Sequence, residues 1–234
     1  MSKKDWKKNA AEKAAKLVED DMTVGLGSGS TLAEVVKTLG EKKSEAEFVC
    51  ASTSTLQLAD RMDLNLTSLK KNTELDITID GADEVNPEFD MIKGGGGAHA
   101  REKIVANAAR KVAIVVDKTK FVEKLGEKNP VPNEIIPFSH EHVSGLIESL
   151  GSETQLRKST SGGPFVTDNG NYIIDADFGT IDNPAELGNK LNQVPGVIEN
   201  GIFIDLLDRL FVGHENGCET AENKEEFLKI LKEI

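Results

Sequence analysis

The sequence contains few of the residues that mark disulfide-bonded, metal-binding or membrane proteins. Its 234 residues include two cysteines, one tryptophan and one tyrosine. Cys50 and Cys218 are far apart and follow no metal-ligand or redox spacing, which favours reduced thiols in a cytoplasmic protein. No apolar run approaches the roughly 20 residues that span a bilayer, and no signal-peptide core follows the basic N-terminus. We therefore expect a cytoplasmic location and no membrane partner.

The charge balance argues against a further class of partners. Asp and Glu number 40 and Lys and Arg number 28, so the formal net charge is −12. Long-range repulsion then opposes binding to nucleic acid, and we expect no nucleic-acid partner. A small anion remains compatible with this charge, because a local group of amides and lysines can reverse its sign. The length and the hydrophobic content of 38% fit a globular protein of one large or two small domains.

Strands and helices alternate along the first half of the sequence. Short apolar runs predict strands, and apolar residues three and four positions apart predict helices. The predicted helices cover residues 3–20, 31–39, 53–61 and 97–110, and the predicted strands cover residues 22–26, 48–51, 75–79 and 112–117. This alternation predicts a parallel α/β sheet with right-handed crossovers.

The pattern changes near residues 126–132, where a glycine and two prolines interrupt the alternation. The elements predicted after this point are strands at 134–138 and 154–158, helices at 140–150 and 184–192, two strands flanking the turn Asp168-Asn169-Gly170, and a strand after Pro195-Gly196. The Asn-Gly pair is typical of a type I′ hairpin. These elements contain a β-α-β-β-α-β order, with one strand in addition, and that order predicts a ferredoxin-like unit.

We therefore predict an α/β protein in which a Rossmann-like, mostly parallel sheet domain carries a smaller inserted ferredoxin-like α+β domain. The first domain is placed at residues 1–127 and 202–234, and the second at residues 128–201. Strands at 202–206 and 209–212 and a last helix at 221–234 would return the chain to the first sheet.

The first loop that can carry chemistry is the segment GLGSGST, residues 25–31, between a predicted strand and a predicted helix. Its glycines let the backbone approach a ligand closely, and the helix N-terminus offers unpaired N–H groups to an anion. Ser30 replaces the third glycine of a dinucleotide fingerprint, and the Gly-Lys-Ser/Thr ending of a P-loop is missing. Taken alone, the loop fits a phosphate site and an ordinary turn equally well.

Two further loops carry charged residues. The segment DGADE, residues 80–84, ends a predicted strand, where open α/β sheets bind ligands, although an acidic surface turn also explains it. Lys93 begins a run of four glycines, residues 94–97, whose entropic cost is explained by amides that wrap around a ligand. Glu102 lies in the first turns of the following helix, where an isolated Glu would be a surface residue.

Together the three loops favour one chemistry. In a doubly wound sheet all three fall at the carboxyl edge, so an anion-binding loop, paired carboxylates, a lysine and a glutamate meet there. That set suits proton transfer next to the carbonyl of a phosphorylated sugar. One carboxylate moves the proton, and a cation stabilises the enediolate oxygen. This chemistry requires no cofactor.

Several segments, in this order and spacing, resemble ribose-5-phosphate isomerase of the A type. They cover essentially the whole chain and are GLGSGST, DGADE, KGGGGAHAREK, VDKTK, PNEIIPF, TDNGN and PGV. The resemblance implies interconversion of D-ribose 5-phosphate and D-ribulose 5-phosphate in the non-oxidative pentose phosphate pathway. It also implies a homodimer or homotetramer that uses no metal and no organic cofactor.

The resemblance assigns roles to individual residues. Glu102 would be the general base. Asp80 and Lys93 would flank the reacting carbonyl and hydroxyl. Asp83 would hold sugar hydroxyls and assist the same proton transfer as a further catalytic residue. The implied substrate-binding residues are Ser28, Gly29, Ser30, Thr31, Gly81, Ala82, Gly94, Gly95, Gly96 and Lys120. Lys118 is a neighbouring alternative to Lys120 as the phosphate lysine. The four histidines are expected to be structural or surface residues, so no metal site is expected.

Two other function classes also fit part of the sequence. A nucleotide- or CoA-binding enzyme would explain the glycine-rich first loop but has no need for the tetraglycine run. A sugar-phosphate-sensing regulator would carry an N-terminal DNA-binding domain, whereas the predicted sheet begins at residue 22 and the charge is strongly negative.

Overall fold

The computed structural model describes residues 3–233, which form seven α-helices and fourteen strands. The helices are α1 (Lys3–Ala14), α2 (Ser30–Glu41), α3 (Thr53–Arg61), α4 (His99–Ala108), α5 (His140–Glu148), α6 (Pro184–Asn192) and α7 (Lys224–Glu233). The strands are β1 (Thr23–Leu26), β2 (Glu47–Cys50), β3 (Asn65–Leu66), β4 (Ile77–Asp80), β5 (Glu84–Val85), β6 (Met91–Ile92), β7 (Val112–Asp117), β8 (Val131–Ile135), β9 (Glu153–Leu156), β10 (Tyr172–Asp177), β11 (Val197–Asn200), β12 (Ile202–Phe203), β13 (Arg209–His214) and β14 (Gly217–Ala221). None of the helices in this range is long and apolar enough to cross a membrane.

A seven-stranded sheet forms the centre of the fold, in the order β14-β13-β7-β4-β1-β2-β3. Its neighbouring strands are parallel except for the pair β13–β14 at one edge. Strand β7 is buried along its length and alternates its side chains between two cores. Ala113 and Val115 pack with α1 and α2, whereas Ile114 and Val116 pack with α7. Helices therefore cover both faces, as the alternating sequence pattern predicts.

A second sheet is antiparallel and has the order β11-β8-β10-β9. It is built from a β-α-β-β-α-β segment. Helices α5 and α6 pack against the sheet, because Ile147 of α5 and Leu191 of α6 share one core with Ile174 of β10. The first and third strands of the segment lie in the middle, which is the ferredoxin-like arrangement. The predicted fold class is confirmed. The domain boundaries at residues 127/128 and 201/202 stay a prediction.

Of the hairpin predicted at the Asp168-Asn169-Gly170 turn, the strand after the turn is present as β10, but the strand before it, their pairing and the turn type are wrong. Residues 164–167 lie outside any strand, and β10 pairs with β8 and β9. The Thr167 N–H donates to the Asn171 carbonyl oxygen at 2.9 Å, and this hydrogen bond closes the turn. Gly170 has a positive φ of +81°, whereas Asn169 does not have a positive φ. A three-residue loop needs one left-handed residue, whereas a type I′ turn needs two.

Other elements also differ from the sequence prediction. The strand predicted at 134–138 is β8, which begins earlier, at Val131, and ends at Ile135, because Pro137 starts a 3-10 turn. Strand β14 is missing from the prediction, since it is a half-exposed edge strand with little apolar alternation. The predicted strand at 202–206 is the two-residue β12, which pairs with β6 in a small sheet rather than with the main sheet. The last helix begins at Lys224, and its predicted end at Ile234 lies outside the described residues.

Candidate active site

The carboxyl ends of β1 and β4 lie side by side and form the floor of the candidate active site. A Cβ at Gly27, directly after β1, would lie 1.8 Å from Cγ of Asp80, so this close approach requires glycine. The Ser28 N–H donates to Asp80 Oδ1 at 3.1 Å, and the Gly81 N–H donates to the same oxygen at 2.7 Å. The first two loops therefore meet through one carboxylate.

Lys93 joins the tetraglycine loop to this floor. Its Nζ lies 2.8 Å from Asp80 Oδ2 and 3.1 Å from Glu102 Oε2. These three side chains are at most 6% exposed. Glu102 stands in the first turn of α4, and its Oε1 accepts a hydrogen bond from the Ser28 hydroxyl. Its Oε2 is buried beside the Lys93 ammonium, so one cation contacts both carboxylates.

Burial and neighbouring charges shift the pKa values of two groups in this cluster. Burial raises the pKa of Asp80 to about 7, the Glu102 charge adds to the rise, and Lys93 opposes it. Burial acts to lower the pKa of Lys93, but the Asp80 and Glu102 carboxylates outweigh it, and the Lys93 pKa rises. Lys93 is therefore a permanent cation at neutral pH, whereas Asp80 can exchange a proton there.

The raised pKa of Asp80 predicts a pH-dependent gain in stability for Asp80→Asn. The folded pKa of about 7 lies above the ordinary value of 3.8, so folding takes up a proton between these pH values. The contribution of Asp80 to stability is therefore fully present at lower pH and is lost as the pH rises toward 7. Since Asn stays neutral, the stability of Asp80→Asn relative to wild type should rise by more than about 1 kcal/mol across this window. Urea unfolding across the window measures it. Asp182→Asn is the exposed control. An equal rise in the relative stability of Asp182→Asn, or no rise in that of Asp80→Asn, would contradict the raised pKa of Asp80.

The rim of the site carries polar groups from four segments. Asp83 Oδ2 accepts a hydrogen bond from the Gly95 N–H at 2.7 Å, and its Oδ1 lies 4.0 Å from Nζ of Lys120. Lys7 of α1 donates to Ser30 Oγ at 2.9 Å, beside the N-terminus of α2. The rim therefore combines two cations with a carboxylate and a hydroxyl, a set suited to a phosphorylated polyol.

Most residues predicted for the site line one cavity. The lining consists of Lys7, Ser28, Gly29, Ser30, Thr31, Gly81, Ala82, Asp83, Lys93, Gly94, Gly96, Glu102 and Lys120. Asp80 lies against Lys93 below this lining, and Gly95 contributes its N–H to Asp83. Lys118 is absent from the lining and lies 2.8 Å from Glu215 instead. The structure therefore brings the predicted residues together, while their individual roles stay predictions.

Two charged residues have places that the sequence analysis did not give. Lys7 belongs to the lining, but it precedes the first loop by some twenty residues and no motif marks it. Glu84, the third acid of DGADE, is fully buried and accepts hydrogen bonds from the N–H groups of Gly126, Lys128 and Asn129 at 2.6–2.7 Å. Glu84 therefore holds a loop in place and does not line the cavity.

His99 has surroundings that fit a structural role. His99 is fully buried, its Nε2 lies 3.1 Å from Glu199 O, and burial lowers its pKa. It is therefore neutral at physiological pH. In residues 3–233 no group of three or more His, Cys, Asp or Glu side chains is arranged to hold a metal ion.

Comparisons by sequence find one family. The family model described as Ribose 5-phosphate isomerase A (phosphoriboisomerase A) matches residues 47–217. The protein named ribose-5-phosphate isomerase A from Thermosynechococcus vestitus is 44% identical over 216 residues, which are 90% of this chain and 92% of that protein. Its namesake from Pyrococcus horikoshii is 41% identical over 228 residues, covering 95% of this chain and 100% of the relative.

Comparisons by structure find proteins of the same name. A D-ribose-5-phosphate isomerase solved in complex with phospho-erythronic acid has a TM-score of 0.93 and 41% identity, and the match covers 95% of this chain and 100% of that one. Ribose 5-phosphate isomerase A from Methanocaldococcus jannaschii has a TM-score of 0.90 and 40% identity, with the same coverage. The similarity therefore extends over both sheets.

Proposed function

This chain belongs to the ribose 5-phosphate isomerase A family, and from that premise we propose that it interconverts D-ribose 5-phosphate and D-ribulose 5-phosphate through an enediol or enediolate. The observation that carries the proposal is the buried cluster in which Lys93 contacts both Asp80 and Glu102, open on one side to the cavity. A carboxylate and a cation at one carbonyl are the groups that a proton shift between adjacent carbons requires.

Glu102 is the proposed general base. Its carboxylate takes the proton from C2 of the open-chain aldose, and the electron pair of the C–H bond forms the C1–C2 double bond of the enediolate. The same carboxyl group then returns the proton to C1, which completes the ketose. The Ser28 hydroxyl donates to Oε1 and the Lys93 ammonium lies 3.1 Å from Oε2, so these two contacts fix the orientation of the carboxylate. Such orientation makes a carboxylate an effective base although its position is buried.

Lys93 and Asp80 are proposed to act on the substrate oxygens. The Lys93 ammonium stabilises the negative charge that develops on the carbonyl oxygen as C2 loses its proton. Asp80, with a pKa raised to about 7 by burial, moves a proton between the O1 and O2 positions. The same pair can assist opening of the sugar ring, which must precede the proton shift.

The phosphate is proposed to bind at the start of α2. Gly29 precedes this helix and supplies no side-chain cap, so the first N–H groups of the helix are open to an anion. Lys7, which contacts Ser30, and Lys120 add two positive charges to the lining of the cavity, and Ser30 and Thr31 add hydroxyl donors.

Lys120→Ala is expected to raise the KM for ribose 5-phosphate by about tenfold or more and to change kcat less, because a phosphate contact binds the substrate and the transition state alike. Steady-state kinetics measure the split. Lys118→Ala is the matched control, since Lys118 lies two residues away and pairs with Glu215 outside the cavity. An unchanged KM in Lys120→Ala, or a larger rise in the Lys118 variant, removes Lys120 as the phosphate lysine.

The function itself is tested by an aldose–ketose assay on ribose 5-phosphate after exhaustive dialysis against a chelator. We expect ribulose 5-phosphate to form at the same rate as before dialysis. A dinucleotide titration on the same sample should show no binding, which separates the isomerase from the nucleotide-binding alternative. Absence of ketose with intact protein contradicts the proposal.

We further propose, from family membership, a homodimer or homotetramer in the cytoplasm. Light scattering after size-exclusion chromatography would measure the oligomeric mass, and a monomer at assay concentration would contradict the first part. Cell fractionation would test the second.

A further inference from the structure

Arg157 connects the antiparallel sheet to the tetraglycine loop. Its Nε donates to Asp175 Oδ2 at 2.8 Å, and Nη2 donates to the other oxygen of the same carboxylate. Its Nη1 donates to two carbonyl oxygens, Gly94 O at 2.8 Å and Gly95 O at 3.1 Å. The Arg157 side chain is 15% exposed. A single guanidinium group therefore holds one carboxylate and two consecutive peptide groups.

These contacts fix the direction of two N–H groups on the opposite side of the loop. A trans peptide group is planar, so the C=O of one residue and the N–H of the next point in opposite directions. Since the carbonyls of Gly94 and Gly95 point to Arg157, the N–H groups of Gly95 and Gly96 point away from it. The first donates to Asp83 at 2.7 Å. The second belongs to a residue that lines the cavity, and it has no acceptor in the part of the chain that the structure describes.

The loop needs such a restraint because of its composition. Four consecutive glycines sample far more backbone conformations than other residues, and each must be ordered before the loop can present its N–H groups. A planar guanidinium with donors on both edges can bind a carboxylate and two carbonyls at once, whereas a lysine ammonium cannot reproduce that fork. Asp175 prevents the guanidinium from rotating away from the loop.

We propose that Arg157 is a positioning residue of this site. It contacts no substrate. It holds the loop so that the Gly95 N–H orients Asp83 and the Gly96 N–H is directed to the bound sugar phosphate. The inference rests on the proposed function, and it assigns the inserted segment a part in the reaction.

The test compares Arg157→Ala and Arg157→Lys with wild type. Both variants should lose about 10- to 100-fold in kcat/KM for ribose 5-phosphate, because misplaced binding groups cost about that much. Affinity for phospho-erythronic acid should fall by a similar factor. The pH profile of the remaining activity should be unchanged, because Asp80, Lys93 and Glu102 keep their contacts. The control is Arg110→Ala. The Arg110 side chain is 68% exposed and lies before β7, at the edge of the seven-stranded sheet opposite the cavity, so this variant should leave kcat/KM unchanged.

Added guanidinium ion, well below denaturing concentrations, should restore part of the activity of Arg157→Ala and none to the lysine variant. Wild-type kcat/KM in either variant overturns the proposal, and so does a loss in Arg157→Ala that guanidinium does not reduce. If Arg157→Ala fails to fold, Asp175→Asn replaces it and should lose activity in the same direction; wild-type kinetics in Asp175→Asn would then overturn the proposal. Wild-type protein without isomerase activity contradicts the proposed function instead.

Discussion

Glu102→Gln is expected to lower kcat for ribose 5-phosphate by about 1,000-fold, within the range that general-base catalysis supplies. The amide has nearly the same shape, and its carbonyl oxygen can still accept the hydrogen bond from the Ser28 hydroxyl. It cannot take a proton from carbon. Affinity for the substrate should stay within a few-fold of wild type, because the base acts mainly in the transition state. Steady-state kinetics measure kcat, and equilibrium titration with ribose 5-phosphate measures the affinity.

The matched control for this variant is Glu225→Gln, an exposed glutamate in the first turn of α7. It makes the same chemical change far from the cavity and should leave kcat unaltered. A Glu102→Gln enzyme with kcat near that of wild type would remove Glu102 as the base. A variant that loses affinity and kcat equally would assign Glu102 to binding instead.

Lys93→Met is expected to lower the free energy of unfolding by about 3–5 kcal/mol at alkaline pH, the usual cost of removing one partner from a buried charge cluster. Without the ammonium, the Asp80 and Glu102 carboxylates face each other at a position with little access to water. Protonation relieves that repulsion, so the deficit should shrink as the pH falls. Activity should fall by about 100-fold or more, because the developing oxyanion loses its cation.

Urea unfolding of Lys93→Met and wild type on both sides of neutral pH measures this effect. The control is Lys124→Met, whose side chain is 57% exposed and pairs with Asp182 at the surface. Its stability should change by less than about 0.5 kcal/mol at either pH. A Lys93→Met protein as stable as wild type, or one whose deficit is the same at every pH, contradicts the view that Lys93 neutralises the two carboxylates.

Local patterns were sufficient to predict much of the fold. Helix α3 has the predicted bounds, since Ser52 accepts a hydrogen bond from the Thr55 N–H as an N-cap residue should. Strand β7 also has the predicted bounds, because both of its faces are buried and its apolar run is continuous. The turn at Gly170 was interpreted wrongly, since the Asn-Gly pair suits more than one loop length and the pairing of β10 is decided by distant strands.

The candidate site shows the same division between local and distant information. The three loops could be brought to one edge from the order of strands alone, because parallel strands share a carboxyl end. Lys7, Glu84 and Arg157 could not be placed in this way. Their contacts join residues that are distant in sequence, and only packing decides which side of an element they face. The sequence does not distinguish the acids of DGADE, yet Asp80 contacts Lys93 and Glu84 accepts hydrogen bonds from the loop that contains Gly126.

The most direct test of the account is NMR of ribose 5-phosphate incubated with the wild-type protein in D₂O. If a carboxylate moves a proton between C1 and C2, ribulose 5-phosphate forms and solvent deuterium enters at these carbons as the reaction approaches equilibrium. Ketose that forms without any deuterium at C1 or C2 after many turnovers would contradict a proton shift through Glu102.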